Sequence, residues 1–474
     1  MLLTAAIYKI VTCNLYDSQI DRLTMHSYEE NYSENQHPQS DALSGLALLA
    51  LLVCIINCAA PQVEMLFTGG NVPLPQGFVK IACFGLLIAL TILYGRLDLT
   101  SFPVTMWIVA VGYLILVFPY LWFMQNKPPG DIIFDYNAYY CPLIFAPVVT
   151  ALKGRVPGRL AMRIFLGSFA VCALLGWAQY ILQDPLVRLA SNDGNFRIFA
   201  SQWMTAGETR IRSTSLFGSS LWYGNFAVLV AAIGIGMCGK PGGWRKGIPL
   251  YLFAAATCYT TWTRVVFLQL FIATVAAVTF TFGRRPNRVS WQPLISLGLG
   301  VILAFGGVES LITTEEGLSS TSSLELRHQQ WDVYGATFTH ATLGQQLFGF
   351  GYCESDKPAI IPANERLLGK SMVLVDNMYL ALTLHIGLIG MLVIVALMWA
   401  MWRCLRFETV KRPTPVLIGI ASFWATYLMT GMFNVQPANY GFWFLIGTIV
   451  MLPISDVEPD TCWPEEIEPS PELV

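Results

Sequence analysis

Charged residues are scarce in this chain. Asp, Glu, Lys and Arg make up only 12% of its 474 residues, and 55% of the residues are hydrophobic. A soluble domain carries about 25% charged residues, so this composition excludes an ordinary soluble protein. The formal net charge of −2 carries no information about partners, and we expect no nucleic-acid partner.

Sequence motifs for metals, nucleotides and disulfides are also missing. Most of the 11 Cys lie in apolar stretches, where a thiol behaves as a small hydrophobic group. No CxxC or Cys/His spacing typical of a metal site occurs. Cys353 is the one Cys of the long polar segment 313–375, so we expect no structural disulfide there. With no nucleotide-binding loop either, we expect no metal and no cofactor.

A cleavable secretion signal is not apparent. After a short apolar start the first residues are polar, without a basic region or a small-residue cleavage site. We therefore expect residues 1–41 to form a cytoplasmic tail, with Met25 as an alternative start of translation. Residues 456–474 are acidic and rich in Pro, which is typical of a disordered tail.

Long apolar segments, in contrast, recur along almost the whole chain. A membrane-spanning helix needs about 17–25 mostly apolar residues. Strands of a membrane barrel would alternate apolar and polar residues, and these segments do not. We therefore predict an all-α polytopic membrane protein whose transmembrane domain, 42–455, contains about 12 transmembrane helices. The predicted spans are 42–60, 78–95, 103–124, 138–152, 160–182, 215–238, 248–262, 265–282, 292–312, 376–402, 415–432 and 439–454.

Basic residues in the short loops predict the orientation. Loops rich in Lys and Arg stay on the cytoplasmic side of a membrane. With twelve spans, four basic loops and both termini fall on that side, and the loops 183–214 and 313–375 are external. The basic residues concerned are Lys153, Arg155 and Arg159; Lys240, Arg245 and Lys246; Arg284, Arg285 and Arg288; and Arg403, Arg406, Lys411 and Arg412.

The apolar run 248–282 is interrupted only at Thr263 and Arg264. A single helix here would put one flanking basic loop on the external side, against the charge rule. Two short helices in a hairpin satisfy the rule. We therefore predict a helical hairpin with Arg264 at its external tip, held near the membrane surface.

The long loop 313–375, between the ninth and tenth spans, contains a predicted amphipathic helix over 323–341. Four apolar side chains recur at helical spacing, and a capping box precedes them. The Gly-rich sequence LFGFGY follows and predicts a tight return of the chain. The residues of the apolar face are Leu324, Trp331, Tyr334 and Phe338, the capping box is Ser322 with Glu325, and Arg327 lies one turn before Trp331.

Each polar candidate also has an ordinary structural explanation. Arg210 and Arg212 precede the sixth span, where one of them fits a lipid-headgroup contact. Arg264 fits a residue that snorkels to the membrane surface. Arg327 fits a surface Arg paired with lipid phosphate or a nearby Glu. Asp376 opens the tenth span, where Asp is a common helix N-cap.

The combination of these residues favours a functional site. Several guanidinium groups and one carboxylate fall at the external mouth of the predicted bundle. A guanidinium group matches phosphate oxygens bidentately and keeps its charge. Expulsion of a lipid pyrophosphate without a nucleotide or metal requires such cations to stabilise the developing negative charge.

Four ordered elements of the sequence resemble those of a known family. They are RSTSLFGSSLWYGN, TWTRVVFL, LRHQQW followed by LFGFG, and Asp376-Asn377 followed after nine residues by Gly387-Leu388-Ile389-Gly390. In this order, and with the long external loop, they resemble the O-antigen ligase and Wzy-type polysaccharide polymerase family over about residues 160–455. Asp376 departs from the His that ligases have in the last element, and is more similar to polymerases.

The resemblance implies a metal-independent membrane glycosyltransferase in the bacterial inner membrane, with its site facing the periplasm. Its partners would be undecaprenyl-pyrophosphate-linked oligosaccharides, the lipid bilayer, a chain-length regulator and export proteins. Catalytic roles would fall to Asp376, which takes a proton from the acceptor hydroxyl, and to Arg327 and Arg264, which grip the pyrophosphate. The substrate-binding residues would be Arg212, Arg210, Asn225, Trp331, Tyr334, Asn377 and Tyr379.

Alternative functions remain open at this level. A ligase would pass the finished glycan to lipid A core by the same chemistry. A flippase would move lipid-linked sugars without making glycosidic bonds, and transporters tend to have inverted repeats and ionisable residues in mid-membrane. The halves of this chain are not similar, and His385 is its one mid-span candidate, which we expect to be a packing residue. A purely structural protein does not explain the arginines.

Overall fold

The computed structural model describes residues 158–184, 208–217, 220–283, 292–305, 331–350 and 377–431 apart from single positions, and parts of 112–129 and 186–205. The predicted spans 42–60, 78–95, 138–152 and 439–454 lie outside the described residues, as do both predicted tails. The count of twelve spans therefore stays a prediction.

Helices make up most of the described chain. The first helical stretch, within 112–124, ends in a π-helical turn, Tyr120–Met124. A further stretch, within 331–339, covers the second half of the amphipathic helix predicted for 323–341. The labelled helices are α1 Gly158–Leu182, α2 Ser220–Cys238, α3 Trp244–Thr260, α4 Arg264–Phe282, α5 Gln292–Phe305, α6 Leu343–Phe348, α7 Met378–Lys411, α8 Pro415–Trp424 and α9 Tyr427–Gly431.

Four of these helices contain segments long and apolar enough to cross a membrane. The segments are Phe165–Leu182, Ser220–Cys238, Arg264–Phe282 and Met378–Ala396. Each coincides with a span predicted from the sequence, because length and hydropathy together determine a membrane-spanning helix. The described part of the chain is thus a helical bundle of the kind found in membrane proteins.

Helix α2 is the centre of the described bundle. Nearly all of its residues are buried, and it packs against α3, α4 and α8. Small residues permit the close approach of these helices. A Cβ at Gly234 would lie only 2.9 Å from the Gly247 carbonyl oxygen of α3, and a Cβ at Gly236 would lie 2.8 Å from the Pro415 carbonyl oxygen of α8.

The predicted helical hairpin is present. Helices α3 and α4 are separated by only three residues, and Arg264 is the first residue of α4. Both helices pack on α2 more extensively than on each other. The interruption at Thr263 and Arg264 in an otherwise apolar run thus marks the turn between two helices.

Strands were not predicted, and the expectation of an all-α chain is wrong in the segment 183–214. Two antiparallel hairpins lie there. Strand β1, Arg188–Ala190, pairs with β2, Phe196–Ile198, and β3, Ser201–Thr205, pairs with β4, Glu208–Arg212. Thr205 pairs with Glu208, so only two residues separate β3 from β4.

Helix α7 is broken at Gly387, which has φ of 73° and ψ of 175°. The backbone N–H of Phe350 donates to the Leu384 carbonyl oxygen at 2.7 Å, and the Tyr113 hydroxyl donates to the Ile386 carbonyl. Both bonds satisfy carbonyl groups next to the break. Gly349, with φ of 84°, lies directly against this region. The Gly-rich return predicted after the amphipathic helix is therefore docked on the broken helix.

The two ends of the bundle differ in character. We call the end with the first residues of α2 and α4 the Arg264 end. The opposite end contains the α2–α3 turn and the α7–α8 connection, because Gly236 of α2 lies against Pro415 of α8. We call it the basic end, after Lys240, Arg245, Lys246, Arg403, Arg406 and Lys411. The pKa of Arg406 is lowered, mainly because the group is partly buried and also because the positive charge of Arg403 is near.

Candidate functional site

Residues 211–215, which we call the Arg212 segment, are held along the end of α1. Gln179, fully buried, accepts hydrogen bonds through Oε1 from the backbone N–H groups of Thr214, at 3.1 Å, and Ser215, at 2.8 Å. Its Nε2 donates to the Ser215 carbonyl oxygen at 3.5 Å. One turn further on, Gln183 Oε1 accepts from the Ile211 N–H at 3.0 Å. Arg212 lies within this fixed segment.

Two serine hydroxyls add to the attachment. Ser213 Oγ donates to the Gly176 carbonyl oxygen at 2.6 Å, and Ser215 Oγ donates to the Cys172 carbonyl oxygen at 2.7 Å. Their partners lie one turn apart on the same face of α1 as Gln179. No sequence pattern singles out Gln179 or these serines. A Gln in an apolar helix indicates only that some polar partner exists, and not which one.

The Arg212 segment also contacts the hairpin tip. The Ser213 N–H donates to the Thr260 carbonyl oxygen, in the last residue of α3, at 3.2 Å. Across the tip, Thr263 Oγ1 donates to Ser220 Oγ, in the first residue of α2, at 3.1 Å. The segments that carry Arg212 and Arg264 are thereby brought to one end of the bundle.

Arg264 occupies an electrostatically unusual position. It is exposed and forms the first residue of α4. The N-terminus of a helix carries a partial positive charge, so a cation there is disfavoured and an anion is favoured. An anion bound at this point would interact favourably with both the guanidinium group and the helix terminus.

The start of α7 lies at the same end. Asn377 Oδ1 accepts from the backbone N–H groups of Tyr379, at 3.0 Å, and Leu380, at 3.2 Å, and so caps the helix. The Tyr379 hydroxyl donates to the Leu428 carbonyl oxygen at 2.7 Å. Both predicted substrate-binding residues thus have structural bonds, and the capping role considered for Asp376 is performed by Asn377.

The two predicted aromatic residues of the long loop are buried. Trp331 is 6% exposed and Tyr334 is 3% exposed. Tyr334 packs in a cluster with Ala381 and Leu384 of α7. These contacts attach the loop to the first turns of α7, and they leave little of either ring surface for stacking on a sugar.

Deeper in the bundle, a polar contact joins α4 to the segment 425–431. Gln269, fully buried, donates through Nε2 to Thr430 Oγ1 at 2.6 Å and to Thr426 Oγ1 at 3.4 Å. Asn225, a predicted substrate-binding residue, is 1% exposed in α2. Polar side chains thus continue from the Arg264 end into the bundle.

Three predicted residues cannot be placed in this geometry. Arg327 and Asp376 lie outside the described residues. Arg210 lies in β4, paired with Trp203 of β3, but the structure does not describe its side chain. The roles predicted for these residues stay predictions.

Unusual backbone angles concentrate near this end. Positive φ values occur at Gln183, with 50°, at Leu186, with 61°, at Ser215, with 50°, and at Trp262, with 46°. Such angles are costly for residues other than Gly and persist where the surrounding structure enforces them, often at functional sites. They lie at the end of α1, in the Arg212 segment and at the hairpin tip.

No protein-family model matches this chain, and a search of curated proteins gives no match. The geometry at the Arg264 end is therefore the main support for a function. It combines an exposed guanidinium group at a helix N-terminus, a second guanidinium group on a fixed segment, and the capped start of a broken helix. This arrangement suits an anion bound at the end of an apolar bundle.

Proposed function

We propose that this protein polymerises the repeat units of a surface polysaccharide, such as O-antigen, capsule or exopolysaccharide, in the bacterial cytoplasmic membrane. The donor is a glycan chain on undecaprenyl pyrophosphate, and the acceptor is the terminal sugar of another lipid-linked unit. The observation that carries the proposal is the meeting of the Arg212 and Arg264 segments at one end of an apolar bundle.

The proposed reaction is a direct displacement at the anomeric carbon. The acceptor hydroxyl oxygen forms a bond to this carbon, and the bond from the carbon to the pyrophosphate oxygen breaks. The pyrophosphate leaves with the electron pair, and the hydroxyl proton passes to the carboxylate of Asp376. The configuration at the anomeric carbon is inverted.

The arginines stabilise the leaving group in this scheme. Charge develops on the pyrophosphate as the bond breaks, and fixed cations lower the energy of that state most strongly where water is excluded. Arg264 acts together with the N-terminus of α4, and Arg212 and Arg327 supply further guanidinium groups. Because Asn377 caps α7, Asp376 is not required as a cap, which favours a chemical role for its carboxylate.

The first test is a gel of surface polysaccharide from a deletion strain complemented with wild-type or Asp376→Asn protein. We expect the deletion strain to carry single repeat units on the normal anchor, and Asp376→Asn to leave this defect uncorrected. Polymer that accumulates on undecaprenyl pyrophosphate would indicate a ligase instead. A deletion that blocks lipid-linked units on the cytoplasmic side would indicate a flippase.

Arg264→Ala tests the cationic site. Loss of one charge-assisted contact to the leaving group costs about 2–3 kcal/mol, so we expect polymer synthesis to fall about 30- to 160-fold. The measurement is the rate of polymer formation in membranes that contain equal amounts of each protein.

The matched control is Arg245→Ala. Arg245 is also exposed, but it lies at the basic end, over the Trp244 ring. We expect this variant to retain its rate. Full activity of Arg264→Ala, or an equal loss in the two variants, would contradict the proposed role of the Arg264 end.

A further inference from the structure

Four polar residues form a layer inside the bundle, below the Arg264 end. They are Asn225 of α2, Gln269 of α4, and Thr426 and Thr430 in the segment after α8. We call them the polar layer. Gln269 connects α4 to both threonines through its Nε2. All four side chains are buried.

Helix geometry puts Asn225 on the face of α2 that contacts α8. Gly236 follows Asn225 by eleven residues, which is close to three full turns, so both residues lie on one face. Gly236 contacts Pro415 of α8. Helix α8 runs antiparallel to α2, since Gly419 of α8 lies against Ile233 of α2. Thr426 follows Pro415 by eleven residues, and so lies as far from this contact as Asn225 does. Asn225 and Thr426 are therefore at about the same height.

Gln269 lies close to this height as well. Gly224, next to Asn225, contacts Val266 of α4, since a Cβ there would overlap the Val266 side chain. Gln269 follows Val266 by one turn and faces Thr426 and Thr430. The four residues of the polar layer, from α2, α4 and the segment after α8, therefore lie at about the same height in the bundle.

The polar layer contains polar atoms without partners in the described part of the chain. Neither Nδ2 nor Oδ1 of Asn225 forms a hydrogen bond with a described residue, and Gln269 Oε1 forms none either. All three atoms are buried. Buried polar groups are almost always hydrogen-bonded, because loss of water without a replacement is costly. Gln179 is buried to a similar extent, but its amide oxygen and its amide nitrogen both form hydrogen bonds.

We propose that the polar layer binds hydroxyl groups of a sugar. Asn225 Nδ2 requires an acceptor, and Asn225 Oδ1 and Gln269 Oε1 each require a donor. A hydroxyl group supplies both functions and carries no charge, which suits a layer of two amides and two threonines. This assignment rests on the proposed function for its setting, since the sugar is the part of the lipid-linked substrate next to the pyrophosphate at the Arg264 end.

The first part of the test measures stability without substrate. Wild-type protein, Asn225→Leu and Gln179→Met are melted in nanodiscs of zwitterionic phospholipid. Leu matches the shape of Asn and removes two buried polar atoms that have no partner among the described residues, so Asn225→Leu should melt at or a few degrees above the wild-type temperature. Gln179→Met, which breaks existing bonds, should melt lower. A decrease for Asn225→Leu as large as that of Gln179→Met would show an intramolecular partner and overturn the proposal.

The second part measures binding with defined probes. Octyl glycosides of glucose, galactose and N-acetylglucosamine are added below their micelle-forming concentrations, with octyl tetraethylene glycol as the control without sugar. We expect at least one glycoside to raise the melting temperature of the wild type. Asn225→Leu should bind that glycoside about tenfold more weakly, as expected for loss of one neutral hydrogen bond. A glycoside effect that persists in Asn225→Leu, or is missing in the wild type, would overturn the proposal.

A third pair of probes separates this inference from the proposed function. Farnesyl pyrophosphate and its disaccharide-linked form differ only in the sugar. Both proposals are supported if farnesyl pyrophosphate raises the melting temperature of the wild type and of Asn225→Leu, and if the disaccharide raises it further only in the wild type. If neither pyrophosphate probe binds but the glycoside effect depends on Asn225, the lipid-pyrophosphate function fails and the sugar site stands.

Discussion

Gln179 is the residue on which the geometry of the Arg212 segment depends most. Its Oε1 satisfies two consecutive backbone N–H groups, of Thr214 and Ser215, that would otherwise be buried without a partner. The residues involved are more than thirty positions apart in sequence. An interaction of this kind follows from the packing of α1 against the Arg212 segment, so the sequence did not indicate it.

Replacing Gln179 by Met should destabilise the protein and displace Arg212. Met fills a similar volume but accepts no comparable hydrogen bond, so two buried N–H groups lose their partner. We expect the free energy of unfolding to fall by about 2–4 kcal/mol. Chemical denaturation in detergent micelles, followed by tryptophan fluorescence, measures this change.

Two further variants test whether the lost hydrogen bonds of Gln179 cause the loss of stability. Gln179→Glu keeps an oxygen acceptor for both N–H groups and should recover part of the loss. Gln183→Ala removes one comparable bond from an exposed side chain, where water substitutes, and should cost about 0.5–1.5 kcal/mol. Equal losses for Gln179→Met and Gln183→Ala would show that burial of the Gln179 bonds is unimportant.

The sequence does predict the position or the burial of some single residues. Arg264 was recognised because a charge inside a long apolar run has few possible positions, and the structure puts it at the hairpin tip. The burial of Trp331 and Tyr334 follows from their periodicity, but their contact with α7 requires the tertiary fold. The Asn225 amide forms no hydrogen bond with a described residue, and this too depends on its neighbours in the fold, which no local pattern encodes.

Among the elements, helices of sufficient length were predicted well, and short elements were not. Predicted spans 160–182 and 265–282 correspond to α1 and α4 within two residues. The four strands were missed because each is only three to five residues long, and pairing rather than hydropathy stabilises them. The Asn192-Asp193-Gly194 sequence between β1 and β2 was an available turn signal.

Helix α7 differs from its prediction in length and in continuity. It was predicted as a continuous span, 376–402, but extends to Lys411 and breaks at Gly387. A continuous helix would leave no free carbonyl groups for Phe350 and Tyr113. Gly387 adopts a positive φ, which few other residues tolerate, so its identity maintains the break.

Gly387→Ala should detach α6 and the two residues that follow it from α7. A Cβ at this position would overlap the carbonyl group of Leu347, and the backbone angle is strained for Ala. We expect residues 343–350 to lose protection in hydrogen–deuterium exchange measured by mass spectrometry.

Gly167→Ala is the matched control for this change. A Cβ at Gly167 of α1 meets no atom within 4 Å, and Ala is favoured over Gly inside a helix by about 1 kcal/mol. Exchange in residues 343–350 should match the wild type in this variant. Unchanged protection of residues 343–350 in Gly387→Ala would show that the position of this segment does not depend on the break.

For the whole molecule, the distribution of charge gives the bundle its polarity. One end has six described basic residues around the α2–α3 turn and the last turns of α7. The other end combines Arg212, Arg264 and the capped start of α7. The rule that basic loops stay in the cytoplasm then predicts that the Arg264 end faces the periplasm, where polymerisation of exported repeat units would take place.

The orientation can be tested by short epitope tags inserted into two turns. One tag follows Ala206, between β3 and β4, and the other follows Lys240, between α2 and α3. Helix α2, with 19 residues, is about 28 Å long and so matches the apolar thickness of a bilayer. The two turns therefore belong on opposite sides. We expect an antibody to bind the first tag in intact spheroplasts and the second only after permeabilisation.

A third tag within the α7–α8 connection, after Pro413, serves as the control for the basic end. The contact of Gly236 with Pro415 puts this connection beside the α2–α3 turn, so both tags should behave alike whatever the orientation. If the tags after Lys240 and Pro413 bind antibody in intact spheroplasts and the tag after Ala206 does not, the bundle is inverted. The arginines would then face the cytoplasm, which is incompatible with a periplasmic polymerase and would leave a cytoplasmic reaction on a lipid-linked sugar as the function to test.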